Sequence, residues 1–342
     1  MWRKFNKLLS TIFPSLILLS FFAVSICFIN QWDSLIWITV IPIWFWSGIG
    51  IMLSALSWIF FRSNAAIFTL CLCLIAGVIF SEETRYLLRD SHRDIPSENQ
   101  IENGKSDGTK LRIVTINCNN GNFKAAQTAA ALDPDIVFLQ ECPLRPEISQ
   151  IAAAIFGKDS NAVFAMSPSR NGNAIIARGE FLTETVDDNS PTLHARLRLP
   201  SHGQLLDLTN VNLQDCLPSR DLWKRKIRRE LTMARISNRR ELRSYMNDYD
   251  IENEQPPRIV AGDFSTPPGD DIFRTLKDAG LADCFPVAGK GWGNTFTAET
   301  SFLRIDQIWM SPDLISENAQ TVINPHSKHR IVVCDFLIKS KK

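Results

Sequence analysis

Five apolar runs in the second part of the chain finish in a residue type that apolar runs usually exclude. IVTIN ends at Asn117, IVFLQE at Glu141, LTNVN at Asn212, IVAGD at Asp263 and RID at Asp306, while SKHRIVV sets His329 just before another apolar run. One polar residue at a strand end is ordinary, but five in one domain predict that the ends meet on one rim of a sheet. The oxygens of Glu141 and Asn117, with Asp263 beside them, are hard donors suited to Mg2+ or Mn2+. Such an ion polarises a phosphoryl oxygen. Asp263 can direct or deprotonate a water. Asp306 can orient His329 and favour its charged form, which stabilises negative charge developing at phosphorus. Together these residue types point to hydrolysis at phosphorus.

The elements that must carry these residues begin at Leu111. LRIVTINC and PDIVFLQEC read as strands separated by a helix over KAAQTAAALD, and a second helix follows near Pro146 to Phe156. NAVFAM, GNAIIAR, Thr192 to Leu199 and QLLDLTNVNL add strands, Ser219 to Asn247 reads as a charged helix, and PRIVAGDF, RIDQIWM and RIVVCDFLI complete the set. Many strands with few helices predict an α+β fold, a two-sheet β-sandwich flanked by helices, over residues 111–338. Neither GxGxxG nor GxxxxGK[ST] is present, and no internal repeat is evident.

Ahead of this domain the chain changes character. Six of the nine tryptophans fall in the first 80 residues, where Arg3, Lys4, Lys7, Asp33 and Arg62 are the only charged groups. The uncharged runs from about Leu8 to Asn30 and from Ser34 to Phe61 are long enough to span a bilayer core of about 30 Å. A third, Asn64 to Phe80, has 17 residues. Residues 1–80 are therefore expected to form about three transmembrane helices, with a helix and polar tether over 81–110. Arg3, Lys4, Lys7 and Arg62 mark the cytoplasmic side, so three crossings leave the later domain outside the cytoplasm. If the third run re-enters without crossing, the domain returns to the cytoplasm.

Net charge is +1 overall, and residues 81–342 carry 33 basic against 35 acidic groups. That argues against tight, extended binding to a nucleic-acid backbone. The one basic stripe, LWKRKIRRE, reads as a solvated helix face. No Cys/His grouping suggests structural zinc; Cys118 and Cys142, each just after a strand, are either a bridge or buried free thiols.

The pieces TINC, PDIVFLQE, GNAIIAR, NVNL, VAGDFS, RIDQIWM and SKH resemble, in order, the endonuclease/exonuclease/phosphatase family, a DNase I-like fold of metal-dependent phosphodiesterases, nucleases and phosphatases. GWGNTF at Gly291 to Phe296 resembles its membrane-anchored bacterial branch. The resemblance implies Glu141 as principal metal ligand with Asn117 orienting it, Asp263 positioning the water, and Asp306 partnering a catalytic His329. It implies Mg2+, or Mn2+, as cofactor; in a bacterium, the apolar runs and the charge distribution described above then make this a multi-pass protein of the inner (plasma) membrane with its C-terminal domain periplasmic or extracytoplasmic. Asn173, beside the middle-strand Gly172, receives no role.

Three positions depart from the family pattern. Ser265 stands where asparagine is usual. Asn212 replaces a histidine or tyrosine; it can donate to phosphate but brings no imidazolium charge. SKH replaces SDH, placing Lys328 where an acid normally sits. Turned inward, Lys328 would weaken cation binding and leave a degenerate phosphate-binding or scaffold module; turned outward, it would leave hydrolysis intact. The expected partners are the lipid bilayer and a phosphorylated substrate, either nucleic acid or a phospholipid or envelope metabolite. No specific protein partner is implied.

Overall fold

A computed structural model of the protein describes residues 2–87, 89, 109–157, 162–167, 172–185, 190–200, 203–247 and 255–339. Most of the expected tether over 81–110 lies outside the described residues; within them, Glu82–Leu87 is helical. The chain forms two compact units, one of Met1–Leu88 with Cys216–Ile236 and Gly269–Asp271, the other of Arg89–Asp215, Ser237–Pro268 and Ile272–Lys342.

The first unit is built on helices α1 (Trp2–Asn30), α2 (Ile43–Phe61) and α3 (Asn64–Phe80), which pack against one another. Two stretches, Leu8–Asn30 and Ile43–Phe61, are long and apolar enough to cross a membrane; α3 is apolar but shorter. Burial is inverted relative to a water-soluble bundle. Ser47, Gly50, Ser54 and Ser57 of α2 and Ala66, Thr69, Cys73 and Ala76 of α3 are buried, whereas Leu19, Phe22, Phe60 and Phe68 are exposed. Small residues at spacings of three and four let helix backbones approach closely. A Cβ on Gly50 would lie 2.6 Å from the Cys73 Sγ. Trp44 Nε1, at the start of α2, donates to Glu83 Oε1 just beyond α3 (3.1 Å), so the two helices run antiparallel and end together.

In this same unit, the start of helix α4 (Arg225–Asn247) lies against the segment joining α1 to α2. Ile36 packs with Cys216, Leu231 and Ala234. Arg235, fully buried, donates to Gln31 O (3.0 Å) and Asp270 Oδ1 (3.0 Å) and lies 3.5 Å from Asp33 Oδ1. A buried guanidinium with carboxylates and a carbonyl around it is compensated, and removing one partner would leave an unpaired buried charge.

The second unit is the two-sheet sandwich. Its strands are β1 (Thr109–Asn117), β2 (Ile136–Gln140), β3 (Ala162–Met166), β4 (Ala174–Arg178), β5 (Glu180–Thr185), β6 (Thr192–Arg198), β7 (Leu205–Asn212), β8 (Arg258–Asp263), β9 (Ala282–Asp283), β10 (Asp306–Met310), β11 (Leu314–Val322) and β12 (Ile331–Ile338). One sheet has the order β11-β12-β1-β2-β4-β3, the other β5-β6-β7-β8-β10-β9. Each contains one parallel pair, β1 with β2 and β7 with β8. Parallel neighbours finish at the same edge, so Asn117 and Gln140 end together in one sheet, and Asn212 and Asp263 in the other.

A polar tie fixes one sheet on the other. The wholly buried Gln140 Nε2 donates to Asn210 Oδ1 (2.7 Å) and Thr115 Oγ1 (3.0 Å), and Asn210 Nδ2 donates to the Leu139 and Ala174 carbonyls (both 2.8 Å). A fully satisfied buried network favours one register over its neighbours.

The structure differs from the sequence reading in detail. Strands β5 and β11, absent from that reading, are edge strands; in β11 burial alternates along Leu314–Val322, with Ser316 buried and Ile315, Glu317 and Gln320 exposed. The expected helix over KAAQTAAALD is a short α-helix, Phe123–Gln127, continued by a 3-10 turn, Thr128–Leu132. Cys118 and Cys142 are buried free thiols.

Candidate active site

The rim where β1, β2, β7 and β8 finish is completed by Asp306, which opens β10 and pairs with Asp263, and by His329 just before β12. Gly262 makes this possible. Its φ is +142°, and a Cβ there would sit 2.0 Å from the Val211 carbonyl of β7. Only glycine lets β8 lie this close to β7 and deliver Asp263 to the rim.

Asn117 links the carboxylates. Its Nδ2 donates to Asp263 Oδ2 at 2.9 Å and to Glu141 Oε1 at 3.2 Å, while its Oδ1 accepts from the Asn119 amide at 2.9 Å. The amide oxygen is thus held by the backbone and the amide nitrogen faces the acids. Glu141 Oε2 accepts from the Asn120 amide at 2.5 Å. Glu141 and Ser265, each the first or second residue past a strand, have φ of +46° and +48°. Left-handed backbone at non-glycine residues costs on the order of 1 kcal/mol or more and is concentrated at functional sites.

His329 Nδ1 lies 3.0 Å from Asp306 Oδ2, 3.2 Å from Asp306 Oδ1 and 3.7 Å from Asp263 Oδ2. All three residues are buried, and their ligand-type atoms lie within 4.8 Å of one another, a grouping able to hold a metal ion. Burial alone lowers the His329 pKa, but the charges of Asp306 and Asp263, the Asp306 hydrogen bond and the charge of Glu141 outweigh it and carry the imidazole up to about 9. Burial, with the Asp306 charge, pushes Asp263 up to about 7 against the opposing effect of His329.

Supporting residues that the sequence reading missed fix the histidine pair. Thr295 Oγ1 accepts from the amides of Ile305 and Asp306 (both 3.2 Å), and the Phe296 ring lies 5.0 Å from the His329 ring. Ser327 Oγ donates to the Asn117 carbonyl (2.7 Å) and accepts from the His329 amide (3.0 Å), tying the SKH turn to β1. Asp215 Oδ1 lies 3.0 Å from Ser265 Oγ, and Asp263 Oδ1 accepts from the Ser265 amide at 2.7 Å. Ser265, which stands where the family usually has asparagine, therefore reaches Asp263 Oδ1 through both its backbone amide and its hydroxyl (3.2 Å). Thr295 and Ser327 lay inside GWGNTF and SKH, but nothing in a linear pattern separates their hydroxyls from ordinary loop residues.

Lys328 is exposed and, among the described residues, makes no ion pair with Glu141 or Asp263. Asn212 is half-buried at the end of β7, in register with Asp263. Asn173 is buried; its Nδ2 donates to the Pro191 carbonyl (2.8 Å) and its Oδ1 has no partner.

The sequence profile of the endonuclease/exonuclease/phosphatase family matches residues 114–329, and the chain belongs to that family. No curated protein matches. Among solved structures, a mannosyl-6-phosphatase of Bacteroides thetaiotaomicron shares 15% identity at a TM-score of 0.52, with 66% of this chain and 99% of the other covered. A family member from the same organism gives 15% and 0.51, covering 68% and 99%. One from Bacteroides vulgatus gives 16% and 0.51, covering 67% and 99%. At such identities the likeness is one of fold, a DNase I-like sandwich. The family is one of phosphoester-hydrolysing enzymes that typically use a divalent metal ion.

Proposed function

We propose that the protein is a membrane-anchored, divalent-metal-dependent phosphoesterase that hydrolyses a phosphodiester or phosphomonoester bond. The observation that carries this reading is the convergence of Asn117, Glu141, Asp263, Asp306 and His329 on one rim while Lys328 stays outside it. A degenerate module needed Lys328 in the cation's place, and no such pairing exists among the described residues.

The donor set fits a hard divalent cation. Asp263, Asp306 and Glu141 bring three carboxylates together against one imidazole, and burial, followed by the Asp306 charge, raises the Asp263 pKa. All the anionic donors are oxygens, as Mg2+ or Mn2+ prefers. Glu141 would hold the ion, kept in place by Asn117 and the Asn120 amide; when bound, the ion supplies Lewis-acid polarisation of a phosphoryl oxygen.

The other steps belong to the chain. Asp263 accepts the proton of the attacking water at Oδ2, held there by Asn117. His329 keeps Nδ1 on Asp306, which leaves Nε2 to donate to a non-bridging oxygen as charge grows in the transition state. Asn212, at the end of β7, offers an amide donor to the phosphate.

Membrane placement rests on the inverted burial of α1 to α3. The Trp44–Glu83 bond supports an antiparallel third crossing, so that the chain leaves α3 on the side of the α1–α2 segment. Packing of residues 216–236 on that segment supports the same side. With Arg3, Lys4, Lys7 and Arg62 on the cytoplasmic face, this side is extracytoplasmic, the periplasm of a bacterial inner membrane. A phosphorylated substrate at the bilayer, nucleic acid or phospholipid-derived, would meet the enzyme there.

The direct test uses the full chain in detergent micelles. Hydrolysis of bis(p-nitrophenyl) phosphate, p-nitrophenyl phosphate and DNA is followed with Mg2+, with Mn2+ and with chelator. Turnover that needs the metal and disappears in His329→Ala is expected; equal turnover in a folded His329→Ala protein would refute the assignment.

A further inference from the structure

The basic stripe of LWKRKIRRE is largely exposed to solvent, and its cations border a cleft. Arg225, Lys226, Arg228, Arg229 and Thr232 of α4 line one open cleft of about 760 Å3 together with Ser34 of the α1–α2 segment. Spacings of three and four residues put Arg225, Arg228 and Arg229 on one side of α4, with Lys226 at the margin. Thr232 Oγ1 donates to the Asp33 carbonyl (3.0 Å), which holds the helix against the segment and makes the cleft a fixed feature of this unit. The Arg228 guanidinium sits over Trp37, 5.6 Å from the ring, and its Nε is buried with no hydrogen-bond acceptor.

Counter-charge is scarce in the cleft. Glu230 is engaged by Lys226 at 3.8 Å, and Asp33 is 3.5 Å from the buried Arg235. Among the described residues, Arg225, Arg228 and Arg229 have no carboxylate partner. Guanidinium groups that converge without an acid are matched to a phosphate, whose oxygens accept their paired N–H donors. Position selects the source of that phosphate. Helix α1 ends at Asn30, and Ser34, four residues on, already lines the cleft. The bilayer's headgroups lie at the end of a spanning helix, and exposed Trp32 and Trp223, in the two segments that form the cleft, are the amphipathic aromatics of that zone.

We infer that this cleft binds the phosphate of an anionic phospholipid in the outer leaflet, with Arg225, Arg228 and Arg229 as the recognising groups. The inference rests on the membrane-anchored reading and adds a lipid site separate from the hydrolytic rim.

The test titrates the full chain, purified in detergent, with phosphatidylglycerol, phosphatidylcholine, diacylglycerol and inorganic phosphate, and reads bound ligand by native mass spectrometry. Phosphatidylglycerol is expected to bind wild type, diacylglycerol not, and phosphatidylcholine more weakly than phosphatidylglycerol because its choline opposes the arginines. Arg225→Ala/Arg229→Ala, at two exposed positions, should weaken phosphatidylglycerol binding about tenfold, and Arg225→Lys/Arg229→Lys, which keeps the charge but loses the paired N–H donors, should restore only part of it. Equal phosphatidylglycerol binding by wild type and the double alanine variant would overturn the inference. Binding of inorganic phosphate that displaces the lipid would overturn its source. Carbonate washing of membranes separates the two readings. Extraction of wild type would sink the anchor and the lipid site together; retention of wild type with unaltered lipid binding in the alanine variant would sink the lipid site alone.

Discussion

Replacing Asp306 with asparagine isolates what the buried pair contributes. Asp306 is 1% exposed, and its Oδ2 lies 3.0 Å from His329 Nδ1. At an effective dielectric of about 20, unit charges at that separation interact by roughly 5.5 kcal/mol. That figure is a ceiling, because Asp263 remains 3.7 Å from the same nitrogen and the asparagine oxygen can still accept its hydrogen bond. If about half is lost from the transition state, the barrier rises by roughly 2.7 kcal/mol and turnover falls about 100-fold. Asparagine keeps the shape of the side chain and leaves the backbone amide on Thr295 Oγ1, so the fold should survive. The assay is the initial rate of bis(p-nitrophenyl) phosphate hydrolysis by the full chain in micelles, with kcat and KM taken separately and circular dichroism confirming the fold. Because the interaction strengthens as charge develops, kcat should drop and KM should change by less than about threefold. A folded Asp306→Asn protein whose kcat stays within about threefold of wild type would refute the pairing as a catalytic device.

Four further outcomes follow from the geometry. Lys328→Ala should leave kcat within about threefold of wild type, since the side chain is exposed; a large gain in metal affinity, read by titration calorimetry, would show that Lys328 reaches the rim after all. Gly262→Ala should destabilise the sandwich by about 3 kcal/mol or more in denaturant melts, because its Cβ would meet the Val211 carbonyl at 2.0 Å; an unchanged midpoint would contradict the close β7–β8 approach. His194 has its pKa lowered from 6.5 chiefly by burial, so the folded state keeps it neutral while the unfolded chain takes up a proton. Its contribution is complete above about pH 6.5 and declines as pH falls towards the folded pKa, with a slope of at most about 1.4 kcal/mol per pH unit; His194→Gln should flatten that slope, and an identical pH profile would remove histidine from the explanation. Gly50→Leu should loosen the α2–α3 contact by about 1–3 kcal/mol, seen as a lower melting temperature in micelles; unchanged stability would argue against that helix interface.

The rim was legible in the sequence because each of its residues contradicts the apolar strand that carries it. Asn117, Glu141, Asp263 and Asp306 violate a local pattern, and parallel pairing of β1 with β2 and β7 with β8 turns those violations into one site. The residues that hold them in place violate nothing. Thr295 and Ser327 act through hydrogen bonds to amides and carbonyls brought near by folding, and Asp215 meets Ser265 from 50 residues away. Edge strands were lost for a related reason: β5 and β11 intersperse polar residues among apolar ones, which blurs the apolar run that marks a strand. Most charges at the start of α4 are solvated as the sequence suggests, but the placement of Arg228 over Trp37 depends on the segment packed beside the helix and has no linear signature.

Lys328 shows where sequence comparison and local physics part. Against a family pattern, a lysine in place of an acid beside a cation looks disabling. The turn itself decides otherwise. Ser327 Oγ accepts from the amide two residues on, at 3.0 Å, the geometry of a hydroxyl-capped turn, and the same hydroxyl is anchored on the Asn117 carbonyl at 2.7 Å. Those two bonds hold Ser327 and His329 on the inner side and leave the residue between them at the apex, in water. There its charge is screened by solvent, and the long side chain has no reason to desolvate next to a buried cluster. The outward position of Lys328 is thus set by the serine before it. Ser327→Ala, which frees the turn, should cost more activity than any change at Lys328; the reverse order in kcat would show that the charge at the apex, and not the anchoring hydroxyl, governs the rim.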